Sequence, residues 1–101
     1  MFKLMSKEGR SMPLLFCDAC GKQIEDGHLA GAVYKVVGPD KESDVLFAHK
    51  GACMDTLEES LGEAYDGWDE LDRYLAFITN NVKLKPEDLE EALDFHRETG
   101  M

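Results

Sequence analysis

Two close pairs of soft metal ligands constrain this chain more than anything else in it. Cys17 and Cys20 are separated by two residues, His49 and Cys53 by three, and the chain has no other cysteine. Zinc in structural sites takes four tetrahedral ligands from thiolates and imidazoles, usually as two pairs from separate chain segments. The number, the types and the pairing all match. A fold built on such a site must bring residue 17 to residue 53 and close the chain between them. Four protein ligands also complete the metal's shell, so the ion expected here is structural and has no open position for catalysis.

The remaining bounds are consistent with a small folded unit. At 101 residues the chain holds one domain's worth of sequence, and 44% hydrophobic residues is ordinary for a folded protein. No apolar run approaches the roughly 18 residues needed to span a bilayer. Leu14-Leu15-Phe16 is far too short for a signal-peptide core. An odd cysteine count argues against a disulfide framework and for a reducing compartment, so a cytoplasmic location is expected.

Charge divides the chain. Residues 1–22 carry +2, residues 23–54 carry −2, and residues 55–101 carry −10, the whole of the net charge. The C-terminal part would repel a phosphate backbone rather than release its counterions. In the N-terminal part Lys3, Lys7, Arg10 and Lys22 form only a thin basic patch. Nucleic acid is therefore not the expected partner, and neither is a membrane.

Local patterning predicts an α+β chain in three parts. Residues 1–12 lack periodicity and read as a flexible leader. Residues 13–61 form the metal unit: a tight turn at Cys17–Lys22, strands near 29–37 and 45–49 around the turn Gly38-Pro39-Asp40-Lys41, and a helix from Gly51. Gly21 suits a positive φ in the first turn. Residues 62–101 form an acidic helical extension, with helices at about 67–82 and 86–98 packed on the metal unit. Asp66 is the expected N-cap of the first and Pro86 sits in the opening turn of the second. Apolar residues at 54, 57, 61, 64, 68, 71, 75, 78 and 82 also fit one continuous helix. Gly62, Gly67 and the pair Asp66-Gly67 argue for a break.

The order turn, hairpin, helix, with ligands from the turn and the helix start, resembles the treble-clef zinc fingers. The resemblance covers about residues 14–61 and rests on Cys17-x2-Cys20-Gly21-Lys22 and His49-x3-Cys53. LIM domains and the zinc-binding domains of some bacterial chaperone ATPases look similar. Here the second pair is spaced by three residues where two is commonest, and 28 residues separate Cys20 from His49. Cys53 at a helix N-terminus would have its thiolate favoured by unpaired N–H groups and the dipole. Lys22 and Lys50 adjoin ligands and can offset the −1 charge of a three-thiolate zinc site.

Other uses of these residues stay open on the sequence. The cysteines can be ordinary buried thiols, or Cys17 and Cys20 a redox dithiol, although that motif belongs in a βαβ setting. A rubredoxin-like iron site would want a fourth thiolate in place of His49. His28 and His96 are alternative ligands, but a loop position and a helix stripe suit solvated and packing roles. The carboxylate runs Glu58-Glu59 and Glu90-Glu91 read as solvated helix faces.

No phosphate-cradling glycine loop, nucleophile elbow or H-E-x-x-H motif occurs. The function expected is therefore that of a small intracellular zinc-binding interaction or adaptor module, not an enzyme. The alternative is a DNA-binding regulator that contacts DNA with the zinc unit and dimerises through the acidic helices. The stripe Trp68, Leu71, Leu75, Ile78 and Val82, flanked by Tyr74 and Phe77, has the spacing of a helix-packing seam. It marks a face for a protein partner or for a homodimer.

Overall fold

The computed structural model of the chain describes residues 1–62 and 67–99. Among them are five strands in two small antiparallel sheets and three α-helices, an α+β architecture.

The first sheet is a hairpin of β1 (Phe2–Lys7) and β2 (Arg10–Leu15), with Lys7 paired to Arg10. Its two-residue loop, Glu8-Gly9, has positive φ at both positions (55° and 76°). That is the backbone of the primed turns that match strand twist. The leader expected over residues 1–12 is thus a regular hairpin. Glu-Gly is a weaker hairpin signal than Asn-Gly, and Met5 and Ser6 break the alternation, so the pattern did not stand out. The hairpin leans on the rest of the chain through Phe2, whose ring meets Phe47 edge-on at 5.5 Å, and through the Phe16 N–H, which donates to the Met1 carbonyl at 2.7 Å.

The second sheet has the order β4-β3-β5, with β3 (Ala30–Tyr34) central between β4 (Val45–His49) and β5 (Gly67–Glu70). β3 and β4 are the expected hairpin. In their connection the Lys41 N–H donates to the Gly38 carbonyl at 3.2 Å, and Asp40 takes φ 60°, the positive φ that a type II turn places after Pro39. Side chains alternate across this sheet. Gly31 and Val33 share a face with Trp68, and a Cβ on Gly31 would lie 3.0 Å from Met54 Cε of α1 (Ala52–Leu61). The opposite face carries Tyr34 and Phe47, whose rings meet Tyr74 of α2 (Leu71–Asn81) at 6.1 and 5.9 Å. One helix therefore covers each face. The small residues Ala30, Gly31 and Ala32 let both approach closely, and Val33, Phe47, Met54, Leu57 and Leu71 fill the core.

The break expected at Gly62 is present: α1 stops at Leu61 against Gly62 (φ 64°). The helix expected over about 67–82 changes, because residues 67–70 form a strand and α2 begins only at Leu71. The proposed cap Asp66 lies outside the described residues, and Glu70, the cap of α2, makes no side-chain capping bond. Trp68 accordingly belongs to β5 and not to a helical seam. Leu71 is 3% exposed, buried beside Gly27, which leaves Leu75, Ile78 and Val82 as the exposed part of that stripe. A sheet pairing made Trp68 a strand residue: Val33 lies opposite it, and tertiary pairing overrode the three-four spacing.

α3 (Pro86–Thr99) starts at the expected proline, but residues 86–98 are all exposed, so it does not pack on the body as the sequence suggested. No helix among the described residues is long and apolar enough to cross a membrane.

Candidate metal centre

The chain reverses between Phe16 and Gln23, which pair across an isolated antiparallel bridge. Inside that reversal the Cys17 N–H donates to the Lys22 carbonyl and the Gly21 N–H to the Cys17 carbonyl, both at 2.9 Å. Gly21 takes φ 76°, a conformation a Cβ would oppose. The result is a knuckle that holds Cys17 and Cys20 on one side. The Ala19 N–H points back at Cys17 Sγ, 3.4 Å away.

Asp18 joins this knuckle to the sheet. Its N–H donates to the Phe47 carbonyl at 2.7 Å, and its Oδ2 accepts the Phe47 N–H at 2.8 Å. The knuckle thereby occupies the free edge of β4, an edge that would otherwise be open to another strand. His49, two residues beyond Phe47 on the same strand, is brought alongside the thiols. Gly51 (φ 86°) then turns the chain so that Cys53 becomes the second residue of α1, among the helix's unpaired N–H groups.

These elements gather the four expected ligands. The Sγ atoms of Cys17, Cys20 and Cys53 and a ring nitrogen of His49 all lie within 4.8 Å of one another. Cys20 Sγ and His49 Nδ1 are 3.6 Å apart. In a tetrahedral site with metal–sulfur bonds of about 2.3 Å and metal–nitrogen bonds of about 2.0–2.1 Å, ligand sulfur and nitrogen stand about 3.5–3.6 Å apart. The cluster is thus of a size to hold a metal ion. Its second sphere is also in place. His49 Nε2 lies 3.2 Å from the Gln23 carbonyl oxygen, which can only accept, so Nε2 carries the proton and Nδ1 presents its lone pair to the thiols.

The electrostatics set two of the sulfurs apart. For Cys17, burial pushes the thiol up, but backbone hydrogen bonding from Cys20, His49 and Ala19, with the Cys20 side chain, outweighs it and lowers the pKa from 9.0 to about 6. For Cys53, burial, hydrogen bonds with Cys20 and Cys17, and then the nearby charges of both push it up to about 11. Cys17 is thus favoured as a thiolate and Cys53 as a thiol, a conflict that a divalent cation among the sulfurs would remove. Lys50, expected to offset the site's charge, instead pairs with Glu70 at 3.0 Å.

Burial runs from Cys17, which is fully enclosed in the core, through the half-buried His49 and Cys53, to the exposed Cys20. Neither other histidine joins the cluster. His28 sits in the short 3-10 turn Gly27–Leu29, highly exposed, 4.0 Å from Asp72, and His96 lies on α3 beside the Phe95 ring. Asp18 and the Gln23 carbonyl were not singled out from sequence. An acidic residue between the two knuckle cysteines is a usable signal for the first, while a backbone carbonyl leaves none for the second.

Protein-family models, curated proteins and solved structures were all compared with the chain, and none matches it.

Proposed function

We propose that Cys17, Cys20, His49 and Cys53 hold one structural zinc ion, and that the protein is a small zinc-stabilised module that binds another protein. The observation that carries the metal is the four ligand atoms within 4.8 Å, with His49 Nδ1 turned inward by the Gln23 carbonyl. Three thiolates and one imidazole select zinc over magnesium or calcium, which prefer oxygen. The succession of knuckle, β3–β4 hairpin and α1, with Cys53 in the first helical turn, supports the resemblance to treble-clef zinc fingers.

The ion's role follows from where its ligands lie. They come from three segments, and one of them, Cys17, is part of the core. The metal takes on the load that a core of ten buried hydrophobic residues among the described ones, four of them alanine or cysteine, would otherwise carry alone. With the shell filled by protein, binding rather than chemistry is the use left for the surface. Leu75, Phe77 and Ile78 on α2, with Val82 just past its end, stand exposed and supply apolar area for a partner.

Native mass spectrometry and elemental analysis of the purified chain test the metal, with one zinc per chain expected. Chelation should remove the near-ultraviolet dichroism, and full retention of that signal in verified metal-free protein overturns a structural role. Titration with random duplex DNA tests the competing regulator. Micromolar binding at physiological salt, with a steep negative salt slope, would favour DNA over protein as the partner.

A further inference from the structure

The end of the second sheet remote from the metal cluster carries a feature of its own. His49 pairs with Ala30 at one end of the β3–β4 ladder, and Val45 pairs with Tyr34 at the other. Four residues of strand, about 13 Å, separate the two ends. At the far end Tyr34, Asp69, Tyr74, Phe77, Ile78 and Asn81 line a cavity of about 270 Å³. Positions 74, 77, 78 and 81 form one face of α2, and Tyr34 and Asp69 come from the sheet face that this helix covers.

The lining combines aromatic surface with a single carboxylate. The Tyr34 and Tyr74 rings are stacked 27° apart at 6.1 Å, and Phe77 stands at the rim, 60% exposed. Asp69 is half-buried, and its Oδ1 accepts the Glu70 N–H at 2.9 Å. Among the described residues no lysine, arginine or histidine pairs with Asp69, although such pairs form at Lys50–Glu70 and Arg97–Asp94. An acidic residue that lines a cavity with aromatic residues, and that no cation pairs with among the described residues, has the makeup of a receptor for an external one.

We propose that this cavity receives the cationic side chain, an arginine foremost, of a basic segment on a partner protein. Ring faces attract a guanidinium through their quadrupole, and a planar guanidinium can stack on them while its N–H groups reach Asp69. The carboxylate's second oxygen gives that cation an acceptor in a partly desolvated setting, where a charge-assisted bond is worth more than in open water. The volume lies below the roughly 300–1,000 Å³ of sites that enclose a drug-sized ligand and suits one inserted side chain. The chain's net charge of −10 draws basic segments toward it over longer range. This assignment deepens the reading of the protein as a partner-binding module by naming the partner's chemistry. It does not require the metal to be zinc.

The test uses the full chain as purified, its metal content measured beforehand, so that a failure of the zinc reading is seen separately. Backbone amide resonances are followed during titration with the peptide acetyl-Gly-Arg-Gly-amide and with its citrulline counterpart, neutral and nearly isosteric. Saturable shifts centred on Asp69, Tyr74, Phe77, Ile78 and Asn81, with the citrulline peptide about tenfold weaker, are expected. Asp69→Asn keeps an oxygen for the Glu70 N–H and should abolish the preference for arginine. Phe77→Ala, at an exposed position, should weaken the arginine peptide while leaving the spectrum's dispersion intact. Equal responses to both peptides, shifts spread along the acidic α3 instead of the cavity, or a preference that survives Asp69→Asn would each overturn the proposal.

Discussion

Asp18 and Phe47 exchange two hydrogen bonds: the Asp18 N–H donates to the Phe47 carbonyl at 2.7 Å, and the Phe47 N–H donates to Asp18 Oδ2 at 2.8 Å. This clamp fastens the cysteine knuckle to the strand that carries His49. Asp18→Ala leaves the Phe47 N–H without its acceptor, and we expect a loss of about 1–3 kcal/mol of stability by urea denaturation. Zinc affinity, measured by chelator competition, should fall roughly 10–100-fold, as for other supports of metal ligands. Asp18→Asn retains an acceptor oxygen and should fall between the two. An Asp18→Ala chain with unchanged zinc affinity would show that the knuckle is held by its own turn alone.

His49 offers a sharper test of the ligand set. His49→Ala removes a ligand and should abolish stoichiometric zinc in native mass spectra, together with the near-ultraviolet dichroism. His49→Cys restores a fourth soft ligand, and zinc should return. The corresponding change at either exposed alternative, His28→Ala or His96→Ala, should leave one zinc per chain. Loss of metal in one of those variants would move the site.

Gly31 tests the packing of the sheet against α1 and β5. A Cβ there would meet Trp68 Nε1 at 2.9 Å, and the Asp69 carbonyl and Met54 Cε at 3.0 Å. The carbonyl is backbone in the adjacent strand and cannot simply swing aside. Gly31→Ala should therefore cost about 1–3 kcal/mol in the denaturation midpoint, as overpacking does. It should also alter the fluorescence of Trp68, the sole tryptophan. An unchanged midpoint would mean that β5 lies farther from β3 in solution.

Tyr74 sets an alkaline limit. Burial first, and the neighbouring Tyr34 second, raise its phenol above the ordinary 10.0. The folded state then holds this proton more tightly than the unfolded state. The contribution to stability is complete below pH 10 and is lost as pH rises through the folded-state value. An ultraviolet phenolate titration of the folded chain should show one tyrosine ionising late, and Tyr74→Phe should remove that component. The decline of stability above pH 10 should be shallower in the variant. A late component that persists in Tyr74→Phe would assign it to another tyrosine.

Short-range chemistry was legible along the chain. The turn at Gly38–Lys41, the strands flanking it, the helix beginning after Gly51 and the proline opening α3 each have a local signal in turn residues, β-branched residues or caps. The convergence of Cys17, Cys20, His49 and Cys53 was legible too, because metal coordination restricts residue types and close spacing whatever the fold. The hairpin at residues 2–15 was not. Its turn, Glu8-Gly9, is an uncommon primed-turn pair, and Met5 and Ser6 break the alternation that Phe2-Lys3-Leu4 begins.

The sequence by itself determined that four soft ligands in two pairs would have to converge, that the fold would be α+β, and that negative charge would gather in the C-terminal half. Only the tertiary structure decided the roles of Trp68, Asp18 and Asp69. Three-four spacing places Trp68 on a helix with Leu71 and Leu75, but hydrogen bonding of residues 67–70 to β3 satisfies that backbone as a strand and sets Trp68 over Gly31. Asp18 becomes a clamp because β4 has a free edge within its reach, and Asp69 lines a cavity with Tyr34 and Tyr74 because α2 folds back over the sheet. Local propensity is a matter of tenths of a kcal/mol to about 1 kcal/mol per residue. Pairing of backbone edges and burial against distant segments outweigh it, and those partners are not adjacent in the chain.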